Sequence, residues 1–243
     1  MIIDGRKLAE KRREEVREMR KNFGPLSLGV VIPAIDAVTQ SYVGIKKRAA
    51  EALDISVTEY RFQKTPTLEE IITKIKEAEK HDGIILQLPL PEGIDLDQAR
   101  NAIPKEKDVD VLGDTAFDAF SKKEFPAVPP VPAAMHYVLK ENKYDLKGKK
   151  VVFVGRGRLV GKPGKILFEQ LGATVTLLGR DHDVPSFTRK ADVIVLGVGK
   201  PRLLTPDMIK EGVVILDAGA SEASGKVVGD ADPRCAEKAL LFT

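Results

Sequence analysis

Tyr42 and Lys46 stand four residues apart within a segment whose apolar spacing predicts a helix from about Val38 to Leu53. Side chains four residues apart share one face of a helix, so the phenol and the amine would be neighbours. A lysine that is partly desolvated beside a phenol can move protons near neutral pH, as general acid–base catalysis requires. The alternative is that the two side chains are ordinary surface neighbours.

Gln87, Asp108 and Asp110 add polar groups beside apolar segments. Gln87 follows the run Ile84–Leu86, and an amide at the carboxyl end of a buried strand either contacts a ligand or satisfies loop backbone. The two aspartates occupy alternate positions, where they either cap a turn or bind a polar heterocycle. Both interpretations remain open from these residues alone.

A glycine-rich turn follows the apolar run Val151–Val154 and precedes a predicted helix. Its glycines are Gly155, Gly157 and Gly161, spaced as G-x-G-x-x-x-G, one residue longer than the commonest dinucleotide fingerprint. Glycines between a strand and a helix let the backbone approach a pyrophosphate, and the helix N-terminus supplies N–H donors and positive potential. The turn therefore predicts a dinucleotide site; the alternative is that the glycines only make a tight turn.

The end of the next strand, where the adenosine ribose of a dinucleotide normally binds, reads Leu178-Gly179-Arg180-Asp181-His182. An acidic side chain here favours a free ribose hydroxyl, whereas a guanidinium binds a 2′-phosphate through paired hydrogen bonds. Arg180 and Asp181 therefore predict opposite cofactors. Arg156 in the glycine turn adds a second cation, so we expect NADP, with NAD as the alternative.

Alternating strands and helices must position these residues. Apolar segments predict strands at 28–33, 56–62 and 83–88 in the first half, and at 151–154, 174–178, 193–198 and 213–217 in the second. Amphipathic segments between them predict helices, among them one at 6–22 and one opened by Thr65-Pro66-Thr67. Such alternation is typical of βαβ units with a largely parallel sheet.

Four prolines between Phe125 and Pro132 mark a change in the chain, because neither a helix nor a strand ladder is expected to run through them. We interpret this segment as a hinge that is followed by a helix from about Ala133 to Asn142. The predicted fold class is α/β with two lobes, the second a Rossmann-type doubly wound parallel sheet, and a cleft between them. The predicted domains are residues 1–128 and 129–243.

The composition is that of a globular protein. The 243 residues include 39 Lys+Arg and 36 Asp+Glu, a net charge of +3, with 43% hydrophobic and 31% charged residues. This balance argues against a disordered chain and against a strongly basic nucleic-acid coat. The longest apolar runs are too short to cross a bilayer, so we expect no membrane association.

Several other partners and sites are expected to be absent. The basic segment Lys7–Lys21 also contains four glutamates, which favours a salt-bridged solvent face over nucleic-acid binding. His81, His136 and His182 lack metal-ligand spacing, so no metal is expected. Cys235 is the single cysteine and cannot form an internal disulfide. The first residues lack the apolar core of a secretory signal, and we expect a cytoplasmic protein.

The segments SYVGIKKRAAEALDI, DGIILQLPLP, KDVD, VGRGRLVGKP and GVGKP occur in this order along the chain. Together they resemble the bifunctional methylenetetrahydrofolate dehydrogenase/cyclohydrolase family, and the resemblance runs from Asp4 to Asp232. It implies oxidation of 5,10-methylenetetrahydrofolate to 5,10-methenyltetrahydrofolate with NADP, followed by hydrolysis to 10-formyltetrahydrofolate. It also implies tetrahydrofolate derivatives as ligands and commonly a homodimer.

The resemblance implies roles for particular residues as well. Lys46 would be the catalytic lysine, Tyr42 its aromatic neighbour, Gln87 an assisting amide and Asp110 a ligand of the pterin ring. The cofactor-binding residues that the resemblance implies lie in the second lobe: Gly155, Arg156, Gly157, Val160, Gly161, Arg180, Gly197 and Val198.

The sequence also departs from the family pattern. Val131 stands where the family has a threonine that hydrogen-bonds the cofactor, and Val111 stands where it has a glycine. The sequence stops at Thr243, before a glycine-rich loop that lines the folate site in the family, so either the folate has fewer contacts or the sequence is shortened. These departures leave open a non-catalytic or single-activity nucleotide-binding relative that has lost this loop.

Overall fold

The structure is a computed structural model that describes residues 1–34, 36–223 and 226–243. Its packing separates two compact units, of which one is Ala9–Val128 and the other combines Met1–Leu8 with Pro129–Thr243. The assignment of the first eight residues therefore differs from the sequence-based division, which placed them with residues 9–128. The reason is backbone pairing, since Ile3 N donates to Phe242 O (2.8 Å) and Phe242 N donates to Met1 O (3.0 Å).

The unit Ala9–Val128 is built on three parallel strands in the order β2-β1-β3. The strands are β1 (Leu26–Ile32), β2 (Ile55–Arg61) and β3 (Gly83–Leu86). The helices are α1 (Gly5–Arg20), which begins in the other unit, α2 (Ala37–Glu51), α3 (Leu68–Ala78), α4 (Leu96–Asn101) and α5 (Asp114–Ser121), with a short 3-10 helix at Lys105–Lys107.

Strand β1 ends in the buried apolar run Val30–Ile32 because both faces of the sheet are covered there. Val31 packs with Ile71 of α3 on one face. On the other face, Val30 and Ile32 pack with Val43 of α2. The helix that carries the Tyr42–Lys46 pair is thus fixed to the centre of this sheet.

The second unit is built on five parallel strands in the order β10-β7-β6-β4-β5. The strands are β4 (Lys150–Val154), β5 (Thr174–Leu178), β6 (Val193–Leu196), β7 (Val214–Asp217) and β10 (Leu241–Phe242), with an antiparallel hairpin of β8 (Ser221–Ala223) and β9 (Lys226–Val228). The helices are α6 (Pro130–Glu141), α7 (Gly161–Gln170) and α8 (Val184–Thr188), with 3-10 helices at Pro206–Met208 and Pro233–Glu237.

Helices cover both faces of this five-stranded sheet. Phe153 of β4 packs edge-on against Phe168 of α7, with ring centroids 5.3 Å apart. Val152 and Val154 point to the opposite face, where they join a buried cluster with Ala191 and residues of the α8 side. The predicted fold class, two α/β lobes of which the second is a doubly wound parallel sheet, is confirmed.

Two local predictions need correction. Helix α6 begins at Pro130, inside the proline-rich segment that was expected to exclude helices, because proline is compatible with a first helical turn whose N–H groups lack partners anyway. Strands β3 and β6 end at Leu86 and Leu196, before the predicted positions 88 and 198. Gln87 and Gly197 therefore lie in turns at the carboxyl edges of their sheets. No helix within the described ranges is long and apolar enough to cross a membrane.

Candidate active site

Helix α2 places Lys46 next to Asp110. The helix begins after Asp36, whose carboxylate accepts hydrogen bonds from the backbone N–H and the hydroxyl of Thr39. Lys46 Nζ lies 3.8 Å from Asp110 Oδ2, and the two side chains are 38% and 23% exposed. Tyr42, one turn earlier on α2, is 44% exposed. The polar partner of Lys46 among the described residues is thus Asp110 rather than Tyr42.

The charge on Asp110 depends on Lys46. Burial raises the pKa of Asp110 above its ordinary value, and the positive charge of Lys46 opposes that rise. A carboxylate whose pKa is shifted by burial and by a neighbouring lysine is typical of sites that bind polar ligands or move protons.

Asp108 holds the turn that presents Asp110. The buried Asp108 carboxylate accepts hydrogen bonds from Leu112 N (3.0 Å) and Gly113 N (2.7 Å). Burial raises the pKa of Asp108, while these two backbone hydrogen bonds oppose the rise. The backbone of Asp108 also pairs with Ile84 of β3, which fixes the turn to the sheet. Asp108 therefore caps a turn, as one of the two interpretations predicts, and Asp110 faces Lys46; the binding of a heterocycle stays a prediction.

Val111, directly after Asp110, has a strained backbone. Its φ is +54°, in the left-handed region, and its side chain is buried. A β-branched residue rarely adopts this conformation, which costs about 1–2 kcal/mol for residues other than glycine. This is the position at which the family pattern has glycine, so the backbone keeps a conformation that the side chain disfavours.

Gln87 combines a fixed backbone with a free side-chain acceptor. Gln87 N donates to Val31 O (2.9 Å), which continues the pairing of β3 with β1. Its Nε2 donates to Leu88 O (2.7 Å), while its buried Oε1 has no hydrogen-bond partner among the described residues. A buried acceptor without a donor costs about 1–3 kcal/mol, so this oxygen is suited to accept a hydrogen bond from a ligand.

The glycine turn after β4 is explained only in part by the packing of the chain. Gly155 has a φ of +113°, and a Cβ atom there would lie 2.7 Å from Gly197 O. A Cβ atom on Gly161 would overlap the Gly155 carbonyl oxygen, and one on Gly197 would lie 2.8 Å from Val160 Cγ1. At Gly157, by contrast, a Cβ atom would meet no heavy atom within 4 Å. The tight-turn interpretation therefore accounts for Gly155 and Gly161, whereas the packing of the chain does not explain the glycine at exposed position Gly157.

Arg156 extends from this turn toward the loop after β5. Its Nη1 lies 4.0 Å from Asp181 Oδ1, and its Nη2 lies 3.3 Å from His182 Nε2. Asp181 and His182 also contact each other at 3.2 Å. Arg180 is exposed and makes no hydrogen bond or ion pair with the described residues. The structure thus groups Arg156 with Asp181, and His182 is a member of this cluster that sequence reasoning missed as a site residue.

The turn after β6 is held by a buried carboxylate that sequence reasoning also missed. Asp230 Oδ2 accepts hydrogen bonds from Val198 N (2.8 Å) and Gly199 N (3.1 Å), and its Oδ1 accepts one from Lys200 N (2.6 Å). Asp230 is fully buried, whereas the Val198 side chain is 44% exposed. The sequence did offer a signal for Asp230, because this aspartate follows two valines, at 227 and 228, and then a glycine.

The described residues include no group of three or more His, Cys, Asp or Glu side chains that could hold a metal ion. His81 instead has a local structural partner, since its Nε2 lies 3.0 Å from the Tyr60 hydroxyl. Burial lowers the pKa of His81.

Comparison with known proteins identifies the family. The family model described as tetrahydrofolate dehydrogenase/cyclohydrolase, catalytic domain, matches residues 3–110, and the NAD(P)-binding domain of the same family matches residues 129–243. Over the whole chain, the sequence is 36% identical to the bifunctional protein FolD of Aquifex aeolicus, of which the match covers 87%.

Solved structures of similar proteins agree. The bifunctional enzyme FolD-methylenetetrahydrofolate dehydrogenase/cyclohydrolase from Campylobacter jejuni superposes with a TM-score of 0.93 at 30% identity, covering 99% of this chain and 89% of that one. The Trypanosoma brucei FolD, solved with NADP and an inhibitor, gives a TM-score of 0.90 at 27% identity with the same coverage. The resemblance seen in the motifs is confirmed, and this chain belongs to the tetrahydrofolate dehydrogenase/cyclohydrolase family.

Proposed function

We propose that this chain oxidises 5,10-methylenetetrahydrofolate to 5,10-methenyltetrahydrofolate with NADP and hydrolyses that product to 10-formyltetrahydrofolate. The observation that carries the proposal is the Lys46–Asp110 pair, which joins an amine to a carboxylate at 3.8 Å beside the sheet. The unpaired Gln87 Oε1 at the end of β3 supports it, because a polar heterocycle supplies the missing donor.

The dehydrogenase step depends mainly on positioning. NADP, when bound, accepts a hydride from the methylene carbon of the substrate. This carbon needs little further activation, so the contribution of the protein is to hold the two reactants in a fixed geometry. We assign Asp110 to the pterin ring, where its carboxylate accepts hydrogen bonds, and the glycine turn at Gly155–Gly161 to the pyrophosphate.

The hydrolysis step requires a proton transfer that Lys46 can perform. Water adds to the methenyl carbon and the bond from that carbon to N5 breaks, so that N5 gains one proton of the water and the other is released. We assign the transfer to Lys46, whose amine is partly exposed and is held by Asp110. Gln87 assists by accepting a hydrogen bond through Oε1, and Tyr42 lies on the same helix one turn before the lysine.

The non-catalytic alternative has no support from the described residues or from the relatives. A protein that only binds nucleotide needs the glycine turn. It does not need a lysine and an aspartate that contact each other in a different part of the sequence. The Lys46–Asp110 pair and the unpaired Gln87 oxygen are features of a site that handles a polar substrate.

The test is a pair of assays on purified protein. Reduced cofactor formed from methylenetetrahydrofolate and NADP measures the dehydrogenase, and loss of methenyltetrahydrofolate measures the cyclohydrolase. We expect Lys46→Met to reduce the cyclohydrolase rate by about 10²-fold or more, the range for a lost general acid–base group. The control is Lys47→Met, which alters the adjacent lysine that pairs with Glu59 at 3.4 Å. Unchanged hydrolysis by Lys46→Met would refute the role of this lysine, and absence of both activities in the unaltered protein would refute the proposed function.

We also propose that the protein is a cytoplasmic homodimer. The dimer follows from the family resemblance, and the location is supported by cysteine usage, since the single cysteine, Cys235, is free and gives no internal disulfide of the kind common in oxidising compartments. Light scattering of the purified protein and fractionation of the source cells test the two statements separately.

A further inference from the structure

We propose that Asp230 is a positioning residue for the nicotinamide half of the cofactor and that it acts through the backbone turn 198–200. This inference rests on the proposed function, since it requires a dinucleotide on the second unit. It concerns a residue outside the glycine turn, whose carboxylate does not itself reach the ligand because it is fully buried.

The order of the strands indicates which part of a dinucleotide meets this turn. In a doubly wound sheet the dinucleotide lies across the carboxyl ends of the strands, with the pyrophosphate at the glycine turn and the adenosine ribose at the end of the following strand. Here the glycine turn follows β4, and the adenosine side is β5. The other neighbour of β4 is β6, and the turn 198–200 follows β6 directly. The nicotinamide half is therefore expected to lie beside this turn.

One carboxylate fixes the backbone of the turn. Asp230 accepts three backbone N–H groups, those of Val198, Gly199 and Lys200, at 2.6–3.1 Å. Hydrogen bonds to a charged acceptor are stronger than neutral ones, and a buried carboxylate requires them to offset its loss of hydration. The turn consequently has a defined conformation before any ligand binds, and it presents the half-exposed side chain of Val198.

A second aspartate fixes Asp230 to the sheet. Asp217 at the end of β7 accepts hydrogen bonds from Gly219 N and Ala231 N, both at 2.8 Å. Ala231 follows Asp230 directly, so β7 determines where the Asp230 carboxylate stands. The packing leaves no room for adjustment, since a Cβ atom on Gly219 would overlap the Asp230 carboxyl group. The end of β7 thus determines the place of the turn that follows β6.

The test distinguishes binding of the adenosine half of the cofactor from binding of its nicotinamide half. Calorimetry compares NADP with adenosine 2′,5′-bisphosphate, which has the adenosine and both ribose phosphates but no nicotinamide. The variant is Asp230→Asn, whose amide nitrogen cannot accept a backbone N–H. The matched control is Asp192→Asn, because Asp192 also accepts a backbone hydrogen bond, from Lys150 N (2.8 Å), but at the amino end of the same sheet.

We expect Asp230→Asn to bind adenosine 2′,5′-bisphosphate within twofold of the unaltered protein and NADP about tenfold more weakly, which corresponds to about 1.4 kcal/mol. Asp192→Asn should bind both as the unaltered protein does. Equal weakening of both ligands by Asp230→Asn, or the same discrimination by Asp192→Asn, would show that Asp230 has only a structural role. Failure of the unaltered protein to bind NADP would overturn the proposed function and this assignment with it.

A measurement on the unaltered protein covers the case in which Asp230→Asn does not fold. Hydrogen exchange at the amides of Val198, Gly199 and Lys200 should be slow in the free protein, because Asp230 already holds all three. Fast exchange at these amides that becomes slow only when NADP is added would overturn the inference, since the ligand rather than Asp230 would then order the turn.

Discussion

At the scale of single residues, the site rests on a charge that is maintained by its neighbour. Burial of Asp110 raises its pKa and so favours its neutral form, and the positive charge of Lys46 opposes this effect. The carboxylate in turn keeps the ammonium group at one place on the sheet edge. A change at Lys46 therefore alters the pKa of Asp110.

The pH dependence of stability should reveal this dependence. Because the pKa of Asp110 is raised on folding, its contribution favours the folded state at acid pH and is lost as the pH rises through the folded pKa. Lys46→Met removes the opposing charge and raises this pKa further. We expect urea unfolding to show that Lys46→Met loses about 1 kcal/mol more stability at pH 7 than at pH 4. Lys122→Met, at an exposed lysine of the same unit, is the control, and an equal loss at both pH values would contradict the prediction.

The choice of cofactor should depend on Arg156 more than on Arg180. Arg156 is held toward Asp181 and His182 beside the expected ribose site, whereas Arg180 has no polar contact among the described residues. We expect Arg156→Ala to weaken NADP binding by about 1–3 kcal/mol, with little change for NAD. Calorimetry with both cofactors measures this, and Arg180→Ala serves as the comparison. A larger loss of NADP affinity in Arg180→Ala than in Arg156→Ala would show instead that Arg180 binds the 2′-phosphate, which the sequence alone also allows.

Sequence reasoning predicted which residues share one element better than which residues contact each other across elements. Helical spacing was sufficient to place Tyr42 and Lys46 on one helix, because that relation is local. The contact of Lys46 with Asp110 is not local, since it depends on the pairing of Asp108 with Ile84 in the sheet. Asp230 was missed for the same reason, because its three N–H donors lie about thirty positions earlier in the chain.

At the scale of elements, the turn 108–113 has to hold its shape against the preference of Val111. The Asp108 carboxylate accepts hydrogen bonds from Leu112 N and Gly113 N. Arg100 donates a third hydrogen bond, to Leu112 O, at 3.1 Å. These bonds keep Val111 in the left-handed region despite its branched side chain.

We expect Val111→Gly to be much less destabilising than a similar change elsewhere in the core. The variant loses a buried side chain but is relieved of the left-handed strain of about 1–2 kcal/mol, so the net cost should be about 1 kcal/mol. Val31→Gly, at an equally buried position in β1 with ordinary strand geometry, should cost about 3 kcal/mol or more. Urea unfolding compares the two, and equal costs would show that Val111 is not strained.

The regular elements were largely predictable because their signals are periodic. The apolar runs at 151–154 and 174–178 became β4 and β5, and Thr67 begins α3 with a capping box that includes Glu70. The start of α6 at Pro130 was not predicted, since a proline inside a helix and a proline in its first turn look alike in sequence. The hairpin of β8 and β9 was missed because each of its strands has only three residues.

At the scale of the whole molecule, the chain leaves its second unit and returns to it. Residues 1–8 belong with residues 129–243, and the intervening 9–128 form a unit of their own. We propose position 129 as the boundary between the domains, with the first eight residues as a separate contribution to the second. The contribution is a backbone pairing beside β10, in which Ile2 stands opposite Phe242.

A proline substitution should test this backbone pairing. Ile3→Pro removes the N–H that donates to Phe242 O, and we expect a loss of about 1 kcal/mol of stability together with faster hydrogen exchange at Phe242 N. Ile2→Pro is the matched control, because the backbone hydrogen bonds of this bridge use Ile3 N and Met1 O rather than the amide of Ile2. If the two variants behave alike, the first residues do not stabilise the second unit.

This return of the chain has a consequence for how the protein forms during synthesis. Residues 1–3 leave the ribosome before any other described segment, but their partner Phe242 is made only after the remainder of the second unit. The three-stranded sheet of the unit 9–128 contains no residue after 128. This unit can therefore fold before residues 1–3 have a partner for backbone pairing. Closing a loop of this length is slow compared with local pairing, so the bridge beside β10 should form after the local contacts of both units.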